Sequence, residues 1–168
     1  MHAAVAIVTL VLAADSRPTG YFQSARWGMS KDQVQTLFPD AHRTKVEAVL
    51  CNERKTSIGT VVVEFRYFFF GPKGLIGVSL YGPREDKTDE SLLATFRSRY
   101  GPEDVSGVDL PAPGRGRKYS WQLREADVDL LLYVSKDGKN GWRADYAQHG
   151  QQRAMSSLTQ QVIDSDRF

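Results

Sequence analysis

Three histidines, one cysteine and scattered acidic residues are the groups in this 168-residue chain from which catalytic or metal chemistry would have to start. Nucleophilic catalysis needs a Ser, Thr or Cys held by a base, most often histidine. Beyond His2 there are only His42 and His149. His42 follows Phe38-Pro39-Asp40-Ala41 and His149 precedes Gly150, contexts that read as connections with a solvated imidazole. Cys51 could meet His42 only through a strand pairing that the sequence does not specify, and no local catalytic signature surrounds it. As the sole cysteine it excludes an intramolecular disulfide, and it reads as a small buried hydrophobe or as one end of an intermolecular bridge. Two loop histidines and one cysteine do not form a zinc ligand set. Glu125-Ala126-Asp127-Val128-Asp129 lacks the ligand order of a calcium loop and reads as a hairpin turn. Gly114-Arg115-Gly116-Arg117 precedes a strand where a phosphate cradle would need a helix. The expectation is therefore no catalytic residue, no metal and no cofactor: a chain that acts by binding, with an enzyme of unrecognised site as the alternative.

Two groups of residues remain as candidate binding surfaces. Arg115, Arg117 and Lys118 in a glycine-flanked segment could hold an acidic polysaccharide, a lipid head group or an acidic protein patch. Arg66, Phe68 and Phe70 form the second group. They share one face of an alternating strand with Glu64, while Phe65, Tyr67 and Phe69 share the other. Turned outward, the Phe pair beside Arg66 suits a protein-binding hot spot; under a C-terminal helix it is plain core. Overall charge names no partner, because Lys plus Arg exceed Asp plus Glu by only 22 − 20 = +2. There is no general field for nucleic acid.

The elements that must position these residues can be read from pattern. Ser30 and Gln33 form a capping box, Met29 and Val34 a staple, and Val34, Leu37 and Phe38 an apolar stripe ended by Pro39. A second helix starts at Thr88 or Asp89, carries Leu92, Leu93, Phe96 and Tyr100, and stops at Gly101-Pro102. Between them lie three strands, 43–50, 60–70 and 74–81, the last two joined at Gly71-Pro72-Lys73-Gly74. Three more follow the connection Pro111-Ala112-Pro113-Gly114, at 117–124, 128–134 and 141–147. Met155, Leu158 and Val162 then mark a C-terminal helix over 151–163. The predicted fold is α+β: an antiparallel sheet in a two-layer sandwich with short helices on one face, readable as duplicated halves 22–82 and 88–147 in the order α-βββ-α-βββ. The predicted core is Trp27, Val34, Leu37, Phe38, Phe65, Leu92, Leu93, Phe96, Trp121 and Leu132.

Residues 1–14, MHAAVAIVTLVLAA, form an apolar run closed by small residues, which is similar to a secretory signal peptide cleaved after Ala13. Its n-region has only His2 and the amino terminus where Lys or Arg is usual. The run is shorter than the roughly 20 residues a membrane helix needs, and with no Cys before Cys51 a lipid anchor is not expected. Residues 15–168 are expected to form one domain, periplasmic or secreted. The step Trp27-Gly28-Met29-Ser30-Lys31-Asp32-Gln33-Val34, with Tyr100-Gly101-Pro102 and the strands around Trp121, resembles the superfamily that groups β-lactamase-inhibitor-protein-like domains with BamE-like (SmpA/OmlA) outer-membrane assembly factors. The resemblance spans most of residues 22–147. It implies a binding or scaffolding role in the bacterial envelope with a protein partner, or inhibition of a secreted or periplasmic enzyme. BamE-like proteins carry an N-terminal lipidated Cys, which this sequence does not contain.

Overall fold

Ser30 opens the first helix as its neighbours dictate. In the computed structural model of the chain, which describes residues 21–22, 24–55, 62–83, 88–110, 115–134, 138 and 140–165, the Ser30 hydroxyl accepts from the Gln33 N–H at 3.2 Å. The Gln33 carboxamide oxygen accepts from the Ser30 N–H at 2.8 Å, completing the capping box over α1 (Lys31–Leu37). Seven residues give the helix few inward positions. Val34 takes one, and Phe38 leaves the helix at its C-cap to stack on Tyr67 at 5.3 Å. Leu37, expected in the core, sits on the flank and is 40% exposed.

Before α1 lies a short hairpin, β1 (Tyr21–Phe22) with β2 (Ala25–Arg26). After it come β3 (His42–Arg43), β4 (Val49–Lys55), β5 (Val62–Phe69), a single 3-10 turn at Gly71–Lys73, β6 (Leu75–Pro83) and α2 (Thr88–Tyr100). The chain continues with β7 (Val105–Asp109), β8 (Arg115–Gln122), β9 (Ala126–Val134), β10 (Asn140–Gln148) and α3 (Gln152–Ser165). Strands β3 to β10 form one eight-stranded antiparallel sheet in the order β3-β4-β5-β6-β10-β9-β8-β7. The α+β class read from the sequence holds. The signal-like residues 1–14 and the connection 111–114 lie outside the described residues.

The β1–β2 hairpin is additional to the strands expected from the sequence, and two further regions differ from expectation. The segment 43–50 is not one strand, because the Thr44 hydroxyl bonds the Val46 carbonyl at 2.9 Å and the Val49 N–H returns to the same carbonyl at 2.9 Å. This local turn overrides the apolar alternation and moves Cys51 into β4. Strand β7 has no apolar alternation to announce it. Its neighbours hold it: the Asp104 N–H bonds Ser120 O at 2.9 Å, Asp104 Oδ2 accepts from the Gln122 N–H at 2.6 Å, and Arg97 grips Glu103 with two nitrogens.

Alternation along β5 divides the core. Phe65, Tyr67 and Phe69 enter one apolar cluster with Val34 of α1 and Leu92 and Phe96 of α2, alongside Trp121, Leu132 and Trp142. Phe68 enters another with Met155, Leu158 and Val162 of α3. Successive side chains of a strand point to opposite faces, so α1 and α2 cover one face and α3 part of the other; the expected placement of the helices on a single face is corrected to this extent. A β-carbon at Gly77 would overlap Met155 Sδ, so the glycine leaves the place on the sheet that the Met155 side chain fills. Trp27 and Leu93 are only partly buried against the first cluster.

Phe96 touches Tyr100, Trp121 and Tyr146. Phe96→Ala is expected to cost about 3–5 kcal/mol, and Leu37→Ala about 1 kcal/mol or less. Equal urea midpoints for the two variants would contradict this packing.

Candidate functional site

The face that α3 only partly covers is laid out in rows by strand register. The row beneath the helix runs Val49, Phe68, Gly77, Ala147, Asp127. The next runs Cys51, Arg66, Ser79, Asp145, Asp129, Ser120, and the one beyond it Glu64, Tyr81, Arg143, Leu131, Lys118. Apolar side chains thus give way, within one residue pair, to a charged band crossing the middle of the sheet.

Each charge in the band has its own partner. The Ser79 hydroxyl donates to Asp145 Oδ1 at 2.5 Å, and Arg143 Nε stands 2.9 Å from Asp145 Oδ2, close enough for an ion pair although its N–H lacks the alignment of a hydrogen bond. The Ser120 hydroxyl donates to Asp129 Oδ1 at 2.6 Å, and Lys118 Nζ lies 2.7 Å from Asp129 Oδ2. Arg66 pairs with Glu64 and lays its guanidinium 4.6 Å over the centre of the Tyr81 ring. Asp145 and Asp129 are directly opposed across the β9–β10 pair, an arrangement that disfavours two bare carboxylates. Burial pushes the Asp145 carboxyl above its ordinary value while Arg143 and Ser79 pull it back, and the Asp129 charge adds to the rise. Burial likewise raises the Tyr81 phenol.

Between this band and α3 lies a cavity of about 250 Å³. Asp127, Asp129, Arg143 and Asp145 form its sheet wall, and Met155, Ser156 and Ile163 belong to its helix wall. Its lining holds three carboxylates beside one guanidinium, with Lys118 on Asp129 and His149 on Asp127 from outside the lining; Met155 and Ile163 supply apolar atoms in a helix wall that is otherwise polar. Among the described residues, no three His, Cys, Asp or Glu side chains come together to hold a metal ion.

The residues singled out from the sequence are dispersed. Arg66 belongs to the band. Phe68 is fully buried beneath α3, so the outward Phe pair does not form; Phe70 is 47% exposed at the turn, with Lys73 Nζ 5.9 Å from its ring centre. Arg115, Arg117 and Lys118 lie in a strand instead of a loop, and alternation sends Lys118 to the charged band while Arg115 and Arg117 take the opposite face. They form no common patch. His42 does stand opposite Cys51 in the β3–β4 register, with the thiol buried and the imidazole exposed.

Sequence reasoning missed Asp127, Asp129, Arg143, Asp145 and the fixed state of His149. Their signal was the polar half of two alternating strands, Asp127 and Asp129 between Ala126, Val128 and Leu130, and Arg143 and Asp145 between Trp142, Ala144 and Tyr146. His149 is no free solvated side chain: its two ring nitrogens contact Asp127 and the Leu123 carbonyl.

No family model, curated protein or solved structure matches this chain. Among the described residues, no helix is long and apolar enough to cross a membrane.

The Asp145 carboxyl is expected to titrate above the ordinary aspartate value of about 3.9, and higher still in Ser79→Ala, which removes a hydrogen bond to the charged form. Carboxyl carbon chemical shifts followed against pH measure both; a midpoint at or below the ordinary value would refute the burial argument.

Proposed function

We propose that this chain is an exported protein of the bacterial envelope that works by binding another protein, without cofactor or catalytic chemistry, and that a basic side chain of the partner enters the cleft under α3. The observation that carries the reading is the clustering of carboxylates in one cleft, Asp127, Asp129 and Asp145, beside Arg143 and backed by Lys118 and His149. These carboxylates are engaged by hydroxyls and cations of the same face, an arrangement that holds a charge in place at little reorganisation cost. Within a helix wall that also carries Gln152, Ser156, Thr159 and Gln160, Met155 and Ile163 offer apolar atoms to the stem of a lysine or arginine, whose charged end would meet the carboxylates.

Export is proposed from the apolar run of residues 1–14. Kinship with the β-lactamase-inhibitor-protein-like and BamE-like superfamily, and the reading of the chain as duplicated halves, belong to the same proposal. Supporting them is the element order: β4-β5-β6 and β8-β9-β10 are each meanders preceded by a helix, and the last strand of each meets the other at mid-sheet.

Ser156 and Ser157 are both exposed on α3, but only Ser156 lines the cleft. Ser156→Lys places a cation where the partner's cation would sit and is expected to reduce capture of the partner by about ten-fold, while Ser157→Lys leaves it unchanged. Quantitative cross-linking of the three proteins in envelope extract, read by mass spectrometry, provides the comparison. Equal capture by all three would overturn the cleft as the binding site.

A further inference from the structure

His149 stands where β10 turns toward α3, next to Gly150, whose φ of +75° allows the reversal. Its Nδ1 lies 3.1 Å from Asp127 Oδ2 and its Nε2 lies 2.7 Å from the Leu123 carbonyl oxygen. Both neighbours are acceptors. A neutral imidazole has one N–H and one lone pair, so either neutral tautomer would turn a lone pair on an oxygen. Only the imidazolium donates to both. The main chain ties the same two pieces together, because the His149 N–H reaches Glu125 O at 3.3 Å and the hairpin closes through Leu123 N–H to Ala126 O at 2.8 Å.

We propose that His149 is a pH-operated latch on the cleft: as imidazolium it pins the β10–α3 corner to the β8–β9 hairpin and neutralises Asp127, and on losing its proton it gives up one of the two bonds and leaves the Asp127 charge uncompensated. Asp127 is a wall of the cleft and α3 is the wall opposite, so the same proton sets the cleft's charge and the anchorage of its helix. Asp127 of β9 is the charged side chain that contacts the ring. Arg124 and Glu125 of the hairpin turn approach it through their main chain, and Arg153, in the first turn of α3, is exposed. The hydrogen bond to Asp127, foremost, and the Leu123 carbonyl hold the imidazole above its ordinary 6.5. With the folded value raised, the latch's stabilisation is complete below the ordinary value and is lost as pH rises through the folded one. As regulation of ligand binding the inference rests on the cleft being the binding site; the latch itself does not.

The test uses the full chain. The His149 ring nitrogens are followed by NMR against pH, together with amide-exchange protection, corrected for intrinsic exchange, of residues 123–127 and of the first turn of α3. The ring is expected to titrate above 6.5, with both segments losing about two- to five-fold in protection at the same midpoint. Asp127→Asn is expected to lower that midpoint and His149→Phe to remove the pH step. A midpoint at or below 6.5 in the native chain, or protection that stays flat across it, would overturn the latch. A working latch combined with unchanged partner capture by Ser156→Lys would leave the latch standing and remove the cleft as the binding site.

Discussion

The sheet is joined at its middle by the pairing of β6 with β10, and across that seam Ser79 donates to Asp145 at 2.5 Å while Arg143 stands beside the same carboxylate. A carboxylate in the centre of a sheet is costly to desolvate, and loss of one partner from a buried pair commonly costs about 3–5 kcal/mol because the other charge is left behind. Ser79 is fully buried and gives its hydroxyl proton to Asp145. An apolar pair at the seam would pack as well and need no partners. The charged seam therefore constrains its surroundings: Lys118 and Ser120 must meet Asp129, because Asp129 lies directly opposite Asp145 and would otherwise add a second unbalanced carboxylate.

The opposite face shows what the same strands do without that constraint. There Val63, Phe65, Tyr67, Leu80, Val128, Leu130, Trp142 and Ala144 form a continuous apolar layer under α1 and α2. Among its polar atoms, Trp121 Nε1 donates to Gly101 O at 3.0 Å and fixes the end of α2 against β8, and the Tyr100 and Tyr146 hydroxyls meet at 3.1 Å. Stability is concentrated on this side. That leaves the α3 side free to carry charge, since its own apolar cluster is small: Val49, Phe68, Ile76 and Ala147 under Met155, Leu158 and Val162.

How much of this was legible in the sequence follows from the range over which each feature is determined. The capping box of Ser30 and Gln33, the stripe Met155, Leu158 and Val162, and the alternation of Val63, Phe65, Tyr67 and Phe69 involve neighbours along the chain and were readable. The turn at Thr44 was also local, but its hydroxyl competes with an apolar pattern that looked like a strand. Strand β7 is made by its contacts with β8 and by Asp104 and Glu103, so nothing within 105–109 announces it. The candidate site is harder still. Asp127 and Asp129 have the same pattern whether they face water or a cleft, and only the 66-residue separation bridged by Ser79 and Asp145, together with the return of α3 over β10, distinguishes the two.

Why the cleft lies where it does follows from the length of the apolar row. Gly77 admits Met155 to the sheet surface, and Phe68 and Ala147 flank it, so α3 is seated on that row. The next row is polar from Arg66 to Ser120 and offers α3 nothing apolar to pack on. The helix therefore bridges from an apolar seat to a charged band, and the space between Ile163 and Asp145 stays open because neither dispersion nor charge pairing would close it. His149 belongs to this same boundary. It lies at the end of the strand that carries Arg143 and Asp145 and at the beginning of the turn into α3, where one proton can act on both the charged wall and the seated one.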